Sequence, residues 1–569
     1  MITRTAPAAE LIITGGTIHP GTGGGDRSGD DQRQQAMAVR EGKIIAIGSD
    51  AAVMRHRGPD TEVIELDGAF VMPGLVDVHN HHQHAGRAEL YELTFSADAD
   101  LAGILEAVRG AAEHAAVDEW IVGSSWGSGL LDQLARVSTR HALDDAAGGR
   151  PVLLTDDSHH NRWASSRALE LANLGRDTAD PVGGEMIRDP DTGELTGVLL
   201  EAAGLLVERA AAPYTELTAE QLARASARAI EIVHGYGITA FQDAAISLPG
   251  MRALKDLDDR GELTCWVVSS MTVNDQIFGY AELGDALIAQ RQGLGSEHHR
   301  PDFIKIFLDG TPPAHSAAFL TPYLPDAEHA ADFCGPTTMP AEELGDWLHK
   351  TAALGISAKI HCAGDAAVRM VLDAVESVRA AGHRDTIYHI AHGQFIDPTD
   401  LPRLAQLGVV ADISPFLWFP GVITDALATV RPAAQFDRLQ PNRSLIDSGA
   451  LVAGGSDWPV SPSPNPWYGI QGLVTRADPS GQRPGTLGAA EAITLDEAIG
   501  VFTINGARAM GLGAVTGSLE VGKSADFVVL DRDPFAAPVD ELSRIRTEQT
   551  WFAGVRTFCR SADAAPIGS

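Results

Sequence analysis

The sequence predicts an α/β protein: a (β/α)8 TIM-like barrel, a small β-sandwich formed by the N- and C-terminal segments, and a subdomain inserted between barrel strands 1 and 2. Three observations lead there. Eight apolar strand-like runs alternate with helical patterns through the middle of the chain, the rhythm of a parallel sheet with crossover helices. Both ends carry short β patterns instead. The first two central runs are about 160 residues apart, too much chain for one crossover.

The N-terminal β patterns come first. Leu11–Ile18 reads as a strand with a Gly15-Gly16 turn, and Ala36–Gly48 as a hairpin turning at Glu41-Gly42. Gly21–Gln35, rich in Gly and Asp, reads as a mobile loop, and Glu62–Leu66 as a further strand. At the other end, Ala525–Leu530 reads as a β-branched strand and Thr547–Phe558 supplies two more. Neither end can bury a sheet face alone, so residues 1–70 and 515–569 are expected to form one composite sandwich around a barrel spanning 71–514. The eight barrel strands are expected at Phe70–Val78, Gly237–Gln242, Thr264–Ser269, Phe303–Leu308, Ile356–Ile360, Thr386–Ile390, Val409–Ile413 and Leu451–Gly454. The insertion, about residues 85–225, has its own strand candidates at Trp120–Gly123 and Pro151–Thr155.

Composition narrows the class. Of 569 residues, 43 are Lys or Arg and 76 Asp or Glu, a net charge of -33. That balance disfavours nucleic acid, whose phosphates demand clustered cations. Halophily would produce the same balance. Cys265, Cys334, Cys362 and Cys559 form no C-x-x-C pair, so neither a thiolate zinc site nor a disulfide framework is expected. Cys362 reads as a buried, inert thiol. Met1–Glu10 lacks the cationic and apolar regions of a secretory signal, and no apolar run is long enough to span a membrane. A reducing cytoplasm is the expected compartment.

The chemistry lies where the expected strands end. The first ends in His79-Asn80-His81, and alternate residues of a strand point the same way. The fourth carries Lys305, the fifth ends at His361, the sixth at His392 and the eighth at Asp457. The C-terminal ends of barrel strands form the active-site face. Four histidines, a lysine and an aspartate therefore converge on one rim, a set suited to metal ions. Singly, each has a plainer reading: a structural histidine, an ion-paired lysine, an Asx turn at Asp457. His82-Gln83-His84 repeats the His-x-His spacing and reads equally well as loop.

These segments carry a resemblance. Pro73-Gly74-Leu75-Val76-Asp77-Val78-His79-Asn80-His81 looks like the first-strand signature of the amidohydrolase superfamily. Ile304–Thr311, His361–Asp365, Gly455–Val460 and Gly517–Phe527 narrow it: from about residue 10 to 560 the chain resembles the amidohydrolase-3 branch, which includes N-substituted formamide deformylases. The resemblance implies two divalent metal ions per chain. His79, His81 and Asp457 would hold one, His361 and His392 the other, with Lys305 as a bridging carbamate. Zinc suits imidazole-rich ligation, with nickel, iron and manganese as alternatives.

It also implies hydrolysis of a C–N amide-type bond in an N-substituted amide or formamide by a metal-bound hydroxide, with Asp457 as general base and then acid. His160 would assist catalysis, and Trp126, His159, Trp163, His315, Phe416 and Trp418 would contact the substrate. His315 stands where the family more usually has Arg, which unsettles the branch's ordinary substrate preference. For Trp126 and the Phe416–Trp418 cluster the alternative is simple packing, and for His159 and His160 a surface turn. Alternatives to amide hydrolysis on the same site are cyclic amide opening, deamination and metal-dependent decarboxylation. A non-catalytic protein on this fold is a further alternative, although such relatives usually lose ligands. The expected partner is a small-molecule amide, with neither nucleic acid nor membrane, and the resemblance implies a homodimer.

Overall fold

The computed structural model describes residues 8–21, 33–95, 99–275, 277–326 and 329–561. Eight parallel strands form its centre: β1 (Leu75–Asn80), β2 (Ile238–Ile246), β3 (Trp266–Thr272), β4 (His299–Phe307), β5 (Ser357–Cys362), β6 (Tyr388–His392), β7 (Val409–Ile413) and β8 (Val452–Gly454), each hydrogen-bonded to the next in chain order. All eight expected runs fall on barrel strands. The first was drawn too long, because Phe70–Pro73 is a strand of a different sheet. The chain leaves that sheet at Gly74, where an added Cβ would lie 2.1 Å from Thr239 Oγ1. Only glycine fits there.

The helices between strands form for local reasons. Ala219–Gly235, which precedes β2, begins with a capping box in which Thr218 and Gln221 satisfy each other's backbone donors, and it buries Ala229, Ile230 and Val233. Leu248–Asp259 begins with Ser247 as its cap and Pro249 in its first turn.

The seam between β8 and β1 is stitched largely by side chains. Asp77, buried inside β1, accepts hydrogen bonds from the Ser456 backbone (2.9 Å), the Ser456 hydroxyl (2.6 Å), the His79 amide (3.0 Å) and Asn80 (3.1 Å). The Asp457 amide donates to the His79 carbonyl at 2.7 Å. A Cβ at Gly455 would lie 2.3 Å from the Cβ of His79, so the close approach of the two strands requires glycine there.

Two small sheets pack over a shared core of Leu11, Ile13, Met37, Val71, Leu519, Phe527 and Trp551. One is N-terminal throughout, with order Lys43–Gly48, Ala36–Arg40, Leu11–Thr14, Glu62–Glu65. The other joins both chain ends: Thr17–Ile18, Phe70–Pro73, Phe527–Leu530, Thr547–Phe552, Val555–Cys559. Gly15-Gly16 carries the chain from one sheet to the other. The Glu41-Gly42 hairpin has positive φ at both turn residues, 51° and 71°, the geometry that suits strand twist. Of the expected Gly21–Gln35 loop, residues 22–32 lie outside the described residues, as do residues 1–7 of the N-terminus.

Between β1 and β2 stands a six-stranded sheet with order Gly184–Arg188, Leu195–Glu201, Arg162–Ala164, Val152–Asp156, Ile121–Trp126, Leu93–Thr94. It has its own apolar core around Trp126, Leu154, Trp163 and Val198.

Candidate metal centre

The ends of β1, β4, β5 and β6 and the turn after β8 deliver His79, His81, Lys305, His361, His392 and Asp457 to one cavity of about 820 Å3. His79 Nε2 lies 3.4 Å, and His81 Nε2 3.5 Å, from the same Asp457 oxygen. The His79 and His392 rings are 4.8 Å apart, as are those of His361 and His392. Two of the residues sit in the left-handed region, His392 at φ 70° and Asp457 at φ 57°. Such strain is held only where surroundings over-determine it.

Each of three imidazoles is oriented through its other nitrogen. His79 Nδ1 donates to Asp412 at 3.1 Å and His361 Nδ1 to Asp309 at 3.0 Å, and His392 Nδ1 shares a hydrogen bond with the Ser414 hydroxyl at 3.1 Å. Asp309 also accepts from the Ala363, Gly364 and Ala318 amides. A carboxylate so surrounded is an acceptor, which places the proton on His361 Nδ1 and leaves Nε2 as a lone-pair donor. His79 Nε2 is buried without a hydrogen-bond partner. Uncommitted ring nitrogens converging on a buried carboxylate oxygen are the donor set of a metal ion, and the residues present fit one.

The electrostatics agree. Burial lowers the His79 pKa to about 4, with Asp412 opposing and Lys305 reinforcing, so the ring is neutral and able to ligate. Burial likewise holds His392 well below its ordinary value. Burial alone would raise Asp457, but the imidazoles of His79, His392 and His81 outweigh it and hold the carboxyl far below the usual range. Lys305 is fully buried on β4 with its Nζ 4.7 Å from the Phe307 ring centroid. Burial first, then the Lys359 ammonium, push its pKa down to about 8. Lys359, its register neighbour on β5, is also fully buried. It donates to the Val78 carbonyl at 2.8 Å and pairs with Asp412, the carboxylate that orients His79.

Residues 62–558 match the sequence model of the amidohydrolase family. The chain belongs to that family. This amidohydrolase is 30% identical to N-substituted formamide deformylase from Arthrobacter pascens, over 93% of this chain and 95% of that protein. It is 30% identical to Protein LONG AFTER FAR-RED 3 from Arabidopsis thaliana, over 95% and 90%, and 25% identical to an imidazolonepropionase from Symbiobacterium thermophilum, over 92% and 91%. Its fold is that of an uncharacterised metal-dependent hydrolase from Pyrococcus horikoshii, with TM-score 0.71 at 21% identity, covering 93% of this chain and 99% of that one.

The insertion closes one side of the amidohydrolase cavity. His159 and His160 both line it. The His160 ring is 6.1 Å from that of His361, and its Nδ1 is 2.8 Å from Glu201. Burial would lower the His160 pKa, but Glu201 reverses this and raises it; reciprocally, His160 holds Glu201 below its ordinary value against burial. Glu201 also accepts from the Ser316 hydroxyl at 2.7 Å, tying the insertion to the loop after β4. His159 differs: burial and then Arg162 lower its pKa to about 3, so it is a neutral ring.

His315 lines the cavity, but Trp126, Trp163, Phe416 and Trp418 do not. Trp126 and Trp163 are buried in the core of the insertion, and Trp126 Nε1 donates to the Leu154 carbonyl at 3.2 Å. Trp418 lies under the Arg476 guanidinium, 4.0 Å from ring centroid to Cζ, and Phe416 stacks on Tyr468. Leu417, between the two aromatics, reaches the cavity instead. The apolar wall is made by Leu131, Ile187, Leu200, Phe278, Leu417 and Ile423. Sequence reading missed Asp412, Asp309, Glu201 and Phe278. Asp309 was within reach, in the Asp309-Gly310-Thr311 segment that carries the family resemblance. Asp412 lies inside a run that reads as a plain buried strand.

Proposed function

We propose that this chain is a metal-dependent hydrolase that cleaves the C–N bond of an N-substituted amide or formamide carrying an apolar N-substituent. The observation that carries the reading is the convergence of His79, His81, Lys305, His361, His392 and Asp457 on one cavity that also carries an apolar wall of Leu131, Ile187, Leu200, Phe278, Leu417 and Ile423. The 30% identity to the Arthrobacter deformylase across nearly the whole length of both proteins supports the bond type.

His79, His81 and Asp457 would hold one divalent ion and His361 and His392 a second, both zinc, with Lys305, as a carbamate, supplying an anionic oxygen ligand. The lowered basicity of Lys305 favours that carbamate, since only the neutral amine attacks CO2. When bound, the ions supply acidified water and polarise the carbonyl. Asp457, ionised and next to His79 and His81, takes the proton of the attacking water and returns it to the leaving nitrogen. His160, whose protonated form Glu201 favours, donates a hydrogen bond to the oxygen on which negative charge develops. The aliphatic wall holds the N-substituent and excludes bulk water.

The test is a turnover screen on purified protein with N-benzylformamide, longer acyclic N-benzylamides and cyclic imides. Release of benzylamine is expected; inactivity on every acyclic amide would overturn the bond assignment. The imidazolonepropionase relative makes cyclic amide opening the second reading, and turnover confined to the imides would favour it.

A further inference from the structure

The geometry points to a second, separate transition-metal site formed by His315, Asp326 and His329 in the more exposed part of the cavity wall. None of these residues belongs to the inner set. His315 Nε2 is 3.1 Å, and His329 Nδ1 2.8 Å, from the same oxygen of Asp326, and one ligand atom from each residue lies within 4.8 Å of the others. On a tetrahedral ion with bonds of roughly 2.0–2.1 Å, ligand atoms are separated by roughly 3.3 Å. The two contacts to Asp326 are already near that spacing, and the two imidazoles would turn toward each other to share an ion.

The arrangement is built rather than incidental. The two imidazoles are nearly parallel, 4.5 Å apart at 16°. Tyr323 packs on the outer side of His315 at 4.8 Å, and Phe333 stacks on His329 at 4.4 Å. Aromatic side chains therefore pack against both rings. The backbones are fixed as well. His315 closes the short turn Pro312–Ala314 at φ 55°, and its amide donates to the Pro312 carbonyl. The second loop is pinned where the Tyr323 amide donates to Phe333 and the Phe319 amide to Cys334. At Gly335 an added Cβ would be 1.9 Å from the Ala317 carbonyl.

Two imidazoles and one carboxylate form a three-ligand set with a fourth position for water, which suits zinc or cobalt and is a poor match for the all-oxygen shells of calcium or magnesium. His315 and His329 both line the cavity that holds the inner set. An ion there would tie the loop around Tyr323–Phe333 to the loop after β4 and narrow the cavity.

The test is metal counting on untagged, as-purified protein, dialysed against zinc with millimolar calcium present to occupy exposed carboxylates. Wild type is expected to take up one more zinc ion than Asp326→Asn or His329→Ala, with the ions present at purification unchanged. His315→Asn, which tolerates the left-handed backbone, is expected to lose the same ion. Under cobalt, wild type minus His329→Ala is expected to give a tetrahedral visible absorption band. Equal uptake by wild type and all three variants would overturn the site. The inner centre is read separately, since His79→Ala removes ions present at purification and leaves the additional equivalent in place.

Discussion

At the scale of single residues, the groups that would hold metal are distinct from the groups that orient them. Asp457→Asn keeps the size of the side chain but removes the proton acceptor, so kcat should fall at least about 1,000-fold while the circular dichroism spectrum and part of the metal content persist. Full activity in that variant would count against Asp457 as the base. Asp412→Asn acts one step further out. It weakens the hold on His79 and leaves Lys359 buried beside a neutral group, and metal affinity should drop about 10–100-fold in a competition with a chromophoric chelator.

The His160–Glu201 pair makes a prediction in pH. His160 is raised and Glu201 lowered in the folded protein. The His160 contribution to stability is complete below the unfolded imidazole value of about 6.5 and is lost as pH rises through the raised folded value. The Glu201 contribution is present above the unfolded carboxyl value and is lost as pH falls through the lowered folded one. The difference in Tm between wild type and Glu201→Gln should therefore be largest in mildly acidic solution and shrink on the alkaline side. A flat difference from pH 5 to 9 would exclude a charged pair.

At the scale of elements, the barrel depends on its seam. β8 is only three residues long, and Asp77 in β1 gathers the amide and hydroxyl of Ser456. Removing that hydroxyl leaves a buried carboxylate oxygen short of a donor, so Ser456→Ala should cost about 1–3 kcal/mol in chemical denaturation. Because Asp457 follows directly, kcat should fall as well, while a seam irrelevant to the site would change stability alone. The eight strands were legible because parallel strands buried on both faces leave near-continuous apolar runs. The boundary at Gly74 was marked only by the Pro73-Gly74 pair inside an otherwise continuous apolar run, and which sheet each half joins is set by its pairing partners, Phe527–Leu530 for Phe70–Pro73 and β2 for Leu75–Asn80.

At the scale of the whole molecule, binding energy at the inner centre is folding energy. Each ion held at 100 times its dissociation constant would add about 2.7 kcal/mol to the native state. Dialysis against a strong chelator should lower the Tm by several degrees and abolish turnover, with both restored by zinc. An unchanged Tm would mean that the centre forms without its ions. The cavity is completed by a segment distant in sequence: His159, His160 and Leu200 from the insertion face His361 and His392 from the barrel. Replacing Leu200 by Asp should raise KM for N-benzylformamide about tenfold or more with little effect on formamides of small amines, since it charges the aliphatic wall alone.

The sequence by itself determined the barrel, its strand positions and the six side chains that meet at its mouth, because strand periodicity and strand ends are local properties. The small sheets were legible from turns for the same reason. Which aromatics face a substrate was decided only by tertiary structure. Trp126, Trp163, Phe416 and Trp418 look alike as letters, and their direction depends on which distant elements pack against them. The same holds for Asp412, Glu201 and the partnership of His315 with Asp326 and His329: each is defined by a neighbour from another element, and that proximity exists only once the chain has closed on itself.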